Sequence, residues 1–185
     1  DYLTLLRWLD TNKIKVLSEN MINLVSAGEV VSRPSSVVKE LVENSIDAKA
    51  STIEIEIKNG GKKLIRVSDN GCGIPKNDVK TAFLKHATSK IYNETDLEKI
   101  MSLGFRGEAL SSICAVSKVE ILTSYEGEQT GTKYRIDGGK ELLFSDYAFS
   151  KGTSICIYDL FYNTPARIKF LKKDSSEGIY VSAES

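Results

Sequence analysis

Glu40, Asn44 and Asp47 stand at i, i+4 and i+7 in the segment Pro34-Ser35-Ser36-Val37-Val38-Lys39-Glu40-Leu41-Val42-Glu43-Asn44-Ser45-Ile46-Asp47, a spacing that aligns them along one side of a helix. A carboxylate one turn from a carboxamide can activate a water and ligate a hard cation. The same stripe can equally be the wet side of an amphipathic helix whose apolar side is Val37, Val38, Leu41, Val42 and Ile46. A second cluster, Asp69-Asn70-Gly71-Cys72-Gly73, follows a strand-like run. Its aspartate can accept a hydrogen bond from an exocyclic amine. Its alternate glycines let backbone come close to a ligand and take positive φ, although a simple Asx turn would use the same residues. Gly104-Phe105-Arg106-Gly107-Glu108-Ala109-Leu110 leads into a helix, where free N–H groups and the positive dipole end favour phosphate oxygens. Neither GxxxxGK[ST] nor GxGxxG occurs. In His86-Ala87-Thr88-Ser89-Lys90 a polar, cation-ended stretch could close over phosphates, with His86 packed or hydrogen-bonded rather than catalytic. Arg167, Lys169, Lys172 and Lys173 form a short basic cluster that suits nucleic-acid phosphates or plain solvation.

The elements that must hold these groups follow from periodicity. Pro34 suits the first position of a helix running to Asp47. Thr52 to Lys58 alternates strictly, as a strand with one buried face does; Asn59-Gly60-Gly61 turns the chain, and Lys62 to Ser68 returns. Helices are expected from Pro75 toward Leu84, over Asp96 to Met101 and over Glu108 to Ala115. Val119 to Thr123, Lys133 to Asp137, Glu141 to Phe144 and Thr153 to Asp159 read as strands, with turns at Gly127, Gly131 and Gly138-Gly139, and Ala166 to Leu171 as a last helical turn. Upstream, turns at Tyr2 to Leu9, a strand at Lys15 to Leu17 and a helix from Ser18 to about Ala27 are expected. The fold class is α+β: a two-layer α/β sandwich with a mixed, mostly antiparallel sheet and helices on one face.

Composition narrows the class. Of 185 residues 41% are hydrophobic and 27% charged, enough for a packed core and a wet surface. Lys plus Arg total 25 and Asp plus Glu total 25, which excludes a polycationic or polyanionic tail protein. Cys72, Cys114 and Cys156 show no CxxC spacing, and His86 is the single histidine. Neither a disulfide scaffold nor a zinc site is indicated, and a reducing compartment is expected. No apolar run approaches the ~18 residues of a membrane span, and the start lacks signal-peptide character and Met. A soluble intracellular domain from a longer or processed chain is the expectation.

The order of the motifs is more specific than any one of them. Gly28-Glu29-Val30-Val31-Ser32-Arg33-Pro34, Glu40-Leu41-Val42-Glu43-Asn44-Ser45, Asp69-Asn70-Gly71-Cys72-Gly73-Ile74, Lys85-His86-Ala87-Thr88-Ser89-Lys90-Ile91, Gly104 to Leu110, Gly152-Thr153 and Asp159-Leu160-Phe161-Tyr162-Asn163-Thr164-Pro165-Ala166-Arg167 follow one another along the chain. Together they resemble the GHKL family of ATPases, and within it the MutL-type mismatch-repair branch, from about Ile14 to Leu171. The resemblance implies a Bergerat-type nucleotide pocket for ATP and Mg²⁺. It makes Glu40 the general base and Asn44 the Mg²⁺ ligand. Asp69 becomes the partner of the adenine amino group, and Gly71 and Gly73 give the base room. It further implies a lid at Thr88, Ser89 and Lys90, phosphate-binding backbone from Arg106 through Gly107, Glu108 and Ala109 to Leu110, and a supporting contact from Thr153.

The same resemblance implies residues 13–173 as the ATP-binding domain, with 1–12 an unassigned extension and 174–185 a tail. Family members continue into a second subdomain that delivers a lysine to the γ-phosphate, so binding is expected to survive better than turnover. The function implied is a slowly hydrolysing ATP switch in mismatch repair; the alternative is a nucleotide-gated interaction module without useful catalysis. Implied partners are a second MutL-type protomer, a MutS-type mismatch-recognition protein and DNA, with weak or no DNA binding by this chain and no membrane. The implied location is cytoplasmic if bacterial and nuclear if eukaryotic.

Overall fold

A computed structural model of the protein describes residues 31–83 and 109–173. Helix α1 spans Pro34–Asp47 with proline in its first turn, where a ring-fixed φ and a missing N–H cost nothing. It buries Val37, Val38 and Leu41 almost completely. Strands β1 (Ile53–Lys58) and β2 (Leu64–Asp69) follow, then the short helices α2 (Lys76–Ala82) and α3 (Ala109–Ala115). Strands β3 (Lys118–Ser124), β4 (Gly131–Asp137), β5 (Lys140–Tyr147) and β6 (Gly152–Tyr158) complete the sheet, and α4 spans Pro165–Lys173. The expected elements at residues 2–9, 15–17, 18–27 and 96–101 lie outside the described residues.

The six strands are ordered β1-β2-β6-β3-β4-β5, and every pairing among the described residues is antiparallel. Register stacks side chains into rows across the sheet. One row on the helix-bearing side is Ile55, Val67, Ile155, Ile121, Tyr134 and Phe144; the next is Ile57, Ile65, Ile157, Val119 and Ile136. These two rows and the buried face of α1 make the core, joined by Val79, Ile113, Val116 and Phe161. Tyr134 links Phe83 and Phe144 edge-on, at centroid distances of 6.0 and 5.7 Å. The opposite side carries ion pairs such as Arg66 with Glu56 at 2.9 Å and Lys133 with Glu120 at 3.0 Å.

Three local expectations shift. The β1–β2 return begins at Leu64 rather than Lys62, because Asn59, Gly60 and Gly61 all take positive φ and widen the turn. Gly131 is the first residue of β4, buried, rather than a turn residue. Ile46, assigned to the apolar side of α1, is 58% exposed, and Ser45 is buried in its place.

Candidate functional site

One more row lies beyond the two apolar ones on the same side of the sheet: Ile53, Asp69, Thr153, Thr123, Thr132 and Asp146. Alternation along each strand puts this polar row on the helix side, next to the C-terminal half of α1. Thr153, Thr123 and Thr132 are buried. The site is therefore a polar margin of the core, set by register.

Asp69 ends β2, and both of its carboxylate oxygens are held. Gly71 N donates to Oδ1 at 2.9 Å, and Ser45 Oγ, from α1, lies 2.7 Å from Oδ2. Thr153 is its register partner on β6. The hydroxyl of Thr123 accepts from Ile74 N at 2.9 Å and lies 3.1 Å from Gly152 O and 2.9 Å from Thr153 Oγ1. With the Thr123 proton on Gly152 O, Thr153 donates to Thr123 and keeps its lone pairs for another donor. The row thus offers two fixed acceptors side by side, the Asp69 carboxylate and the Thr153 hydroxyl.

The two glycines of the loop serve the protein's own backbone first. A Cβ on Gly71 would stand 2.7 Å from Ala48 O at the end of α1, and Cys72 N donates to that same oxygen at 2.9 Å. Gly73 has φ +76° and runs against Ser124 O, leaving no room for a Cβ. Both therefore clamp the Asp69 loop between α1 and β3.

On α1, Glu40 and Asn44 lie one turn apart and half-buried. The Asn44 Nδ2 is buried with no hydrogen-bond partner among the described residues. A buried, unpaired amide costs about 1–3 kcal/mol, which a bound oxyanion would remove. A half-turn of the amide brings its oxygen, a hard donor suited to Mg²⁺, to the same place. Asp47, the third member of the stripe, is exposed. Ala109 is buried at the start of α3 and Leu110 packs half-buried against the core, so any ligand contact there falls to backbone. Thr88, Ser89, Lys90, Arg106, Gly107 and Glu108 lie outside the described residues. All three cysteines are free thiols; burial pushes Cys114 far above the ordinary thiol range, which fits it for packing rather than attack.

Two contributors went unnoticed in the residue pattern, Ser45 and Thr123. Ser45 had a signal: at i+8 from Val37 and i+4 from Leu41 it is a polar residue in an apolar register. Thr123 had none, since a threonine in a strand is ordinary.

The chain has counterparts in sequence and in fold. Residues 31–143 match the family described as histidine kinase-, DNA gyrase B- and HSP90-like ATPase. The chain belongs to that family. Within it the chain is similar to the DNA mismatch repair protein MutL of Acidobacterium capsulatum, 56% identical over 171 residues, which is 92% of this chain and 26% of that protein. MutL of Agathobacter rectalis is 54% identical over 91% of this chain and 26% of its own length. The chain thus spans about a quarter of the length of these relatives. Among solved structures, the N-terminal domain of a DNA repair protein superposes with a TM-score of 0.73 at 36% identity, covering 91% of this chain and 48% of that one. The Aquifex aeolicus MutL ATPase domain complexed with ADP does so with a TM-score of 0.62 at 36% identity, covering 81% and 52%.

Proposed function

We propose that the protein binds Mg·ATP in the margin between α1 and the Asp69–Thr153 row and hydrolyses it slowly, as the nucleotide switch of a MutL-type mismatch-repair protein. The observation that carries this reading is the Asp69 carboxylate, fixed at the end of β2 by the Gly71 N–H and the Ser45 hydroxyl. Family membership and the ADP complex of the Aquifex aeolicus MutL ATPase domain support it.

In this reading Asp69 accepts from the adenine amino group, and Thr153 accepts from a bridging water that supports the base. The clamped glycines Gly71 and Gly73 hold the loop at the base. Glu40 orients and deprotonates the attacking water, a role that needs a carboxylate within hydrogen-bond reach of that water. Asn44 holds Mg²⁺, and its unpaired buried amide fits that place. Bound there, Mg²⁺ supplies charge neutralisation at the phosphates. Backbone from Arg106 to Leu110 (through Gly107, Glu108 and Ala109) receives the phosphates, and Thr88, Ser89 and Lys90 close over them. Residues 13–173 form this ATP-binding unit, flanked by 1–12 and 174–185. ATP acts as a dimerisation switch between protomers that work with a MutS-type protein and DNA, in the cytoplasm of a bacterium. No described helix is long and apolar enough to cross a membrane.

The test is calorimetric titration with a non-hydrolysable ATP analogue, with and without Mg²⁺. Saturable, Mg²⁺-dependent binding that Asp69→Asn weakens by about 100-fold or more is expected, since a site built around one hydrogen bond rejects its mismatch. Equal binding by Asp69→Asn would overturn the site. Steady-state phosphate release above background separates the hydrolysing switch from an interaction module that only binds.

A further inference from the structure

Ser45 is 3% exposed, on the face of α1 that meets the sheet. Its single hydroxyl proton has two acceptors in reach, Asp69 Oδ2 at 2.7 Å and Leu41 O at 3.2 Å. The carboxylate is the shorter and charge-assisted partner, so the proton belongs there. Gly71 N–H occupies the other oxygen at 2.9 Å. Each Asp69 oxygen therefore already faces a buried donor, and both donors are anchored, one in a helix and one in a clamped loop. A carboxylate held at both oxygens is fixed in orientation.

We infer that Ser45 is a positioning residue that sets base choice: by holding Oδ2 it fixes the orientation in which the Asp69 carboxylate accepts from the ligand, selecting a 6-amino purine over a 6-oxo purine. The inference rests on the nucleotide reading above and deepens it. An amino group at position 6 meets an acceptor and pairs with it. A carbonyl oxygen at position 6 meets an acceptor and is left unpaired, the kind of mismatch that gives large discrimination. Without the Ser45 hydroxyl, Oδ2 loses its side-chain anchor and the carboxylate is free to turn about its Cβ–Cγ bond. Its alignment with a 6-amino group is then lost, and discrimination narrows.

The experiment titrates the intact protein with non-hydrolysable analogues of ATP and of inosine triphosphate, in Mg²⁺, for the wild type, Ser45→Ala and Ser45→Thr. Alanine in this buried place removes one oxygen and leaves α1 intact, which circular dichroism and thermal melting verify. The expected result is a preference for the ATP analogue that falls about tenfold or more in Ser45→Ala, the scale of one hydrogen bond to a charged group, and persists in Ser45→Thr. Equal weakening of both ligands in Ser45→Ala, no change in either, or loss of the preference in Ser45→Thr as well would put the effect in packing or nowhere, and would overturn the inference alone. If the wild type binds neither analogue, or binds them without dependence on Asp69, the nucleotide reading falls and takes the inference with it.

Discussion

Glu40 and Asn44 share one helix and differ in what their loss should do. Glu40→Gln keeps the shape and hydrogen-bonding length of the side chain and removes the base. It should bind Mg·ATP as the wild type does and lose about 100-fold or more in phosphate release, the usual contribution of a positioned general base. Asn44→Ala should instead weaken Mg·ATP binding and leave Mg²⁺-free binding little changed. Titration and single-turnover release in the same variants decide it; wild-type hydrolysis by Glu40→Gln would remove Glu40 from the chemistry. Glu40, Asn44 and Asp69 could be singled out from the chain alone as candidates by residue type and spacing, as could Asp47, which the structure leaves exposed. Ser45 was readable only as an anomaly, since its meaning depends on Asp69, which lies 24 positions away and 2.7 Å distant.

At the scale of elements, the Asp69 loop is a clamp, and its weak point is Gly73. Its φ of +76° disfavours any L side chain, and Ser124 O occupies the space a Cβ would need. Gly73→Ala should destabilise the protein by about 2 kcal/mol or more, combining backbone strain with displacement of β3. Urea unfolding should show a lower midpoint with an unchanged slope, and nucleotide binding should fall with it because Ile74 N–H would leave Thr123. Unaltered stability would mean that the loop moves freely and clamps nothing. Helix α1 and the alternating strand β1 were legible because each has a clear period, broken in the helix only at Ser45 and Ile46, and clear ends, Pro34 for the helix and Asn59-Gly60-Gly61 for the strand. The β1–β2 turn was read as too short because three consecutive positive-φ residues extend it, which residue types alone do not count.

For the molecule as a whole, Asp159 ties the far end of the sheet. It follows β6, has φ +49°, and receives Lys118 of β3 at 2.9 Å and Lys63, just before β2, at 3.2 Å. The hydrogen bond from Lys118 chiefly holds its carboxylate below the ordinary range, with Lys63 adding to it. A depressed folded-state value means stability present above the unfolded value of 3.8 and lost as pH falls through the folded one. Stability should therefore drop as pH falls through and below the unfolded value of 3.8, and less steeply in Lys118→Ala. The partners are substantially exposed, so the effect is small and salt-sensitive. Denaturant titrations at stepped pH check it; identical slopes in both proteins would remove Asp159 from the acid response. By itself the chain's residue order determined the fold class, the helices and strands of the described residues and the motif-bearing candidates, because periodicity, turn residues and motif order are local properties. Only the tertiary structure decided that Asp69, Thr153, Thr123 and Thr132 form one polar row, that Ser45 faces Asp69, and that the glycines hold backbone against backbone. Those facts follow from strand register and helix docking, which join residues far apart in the chain.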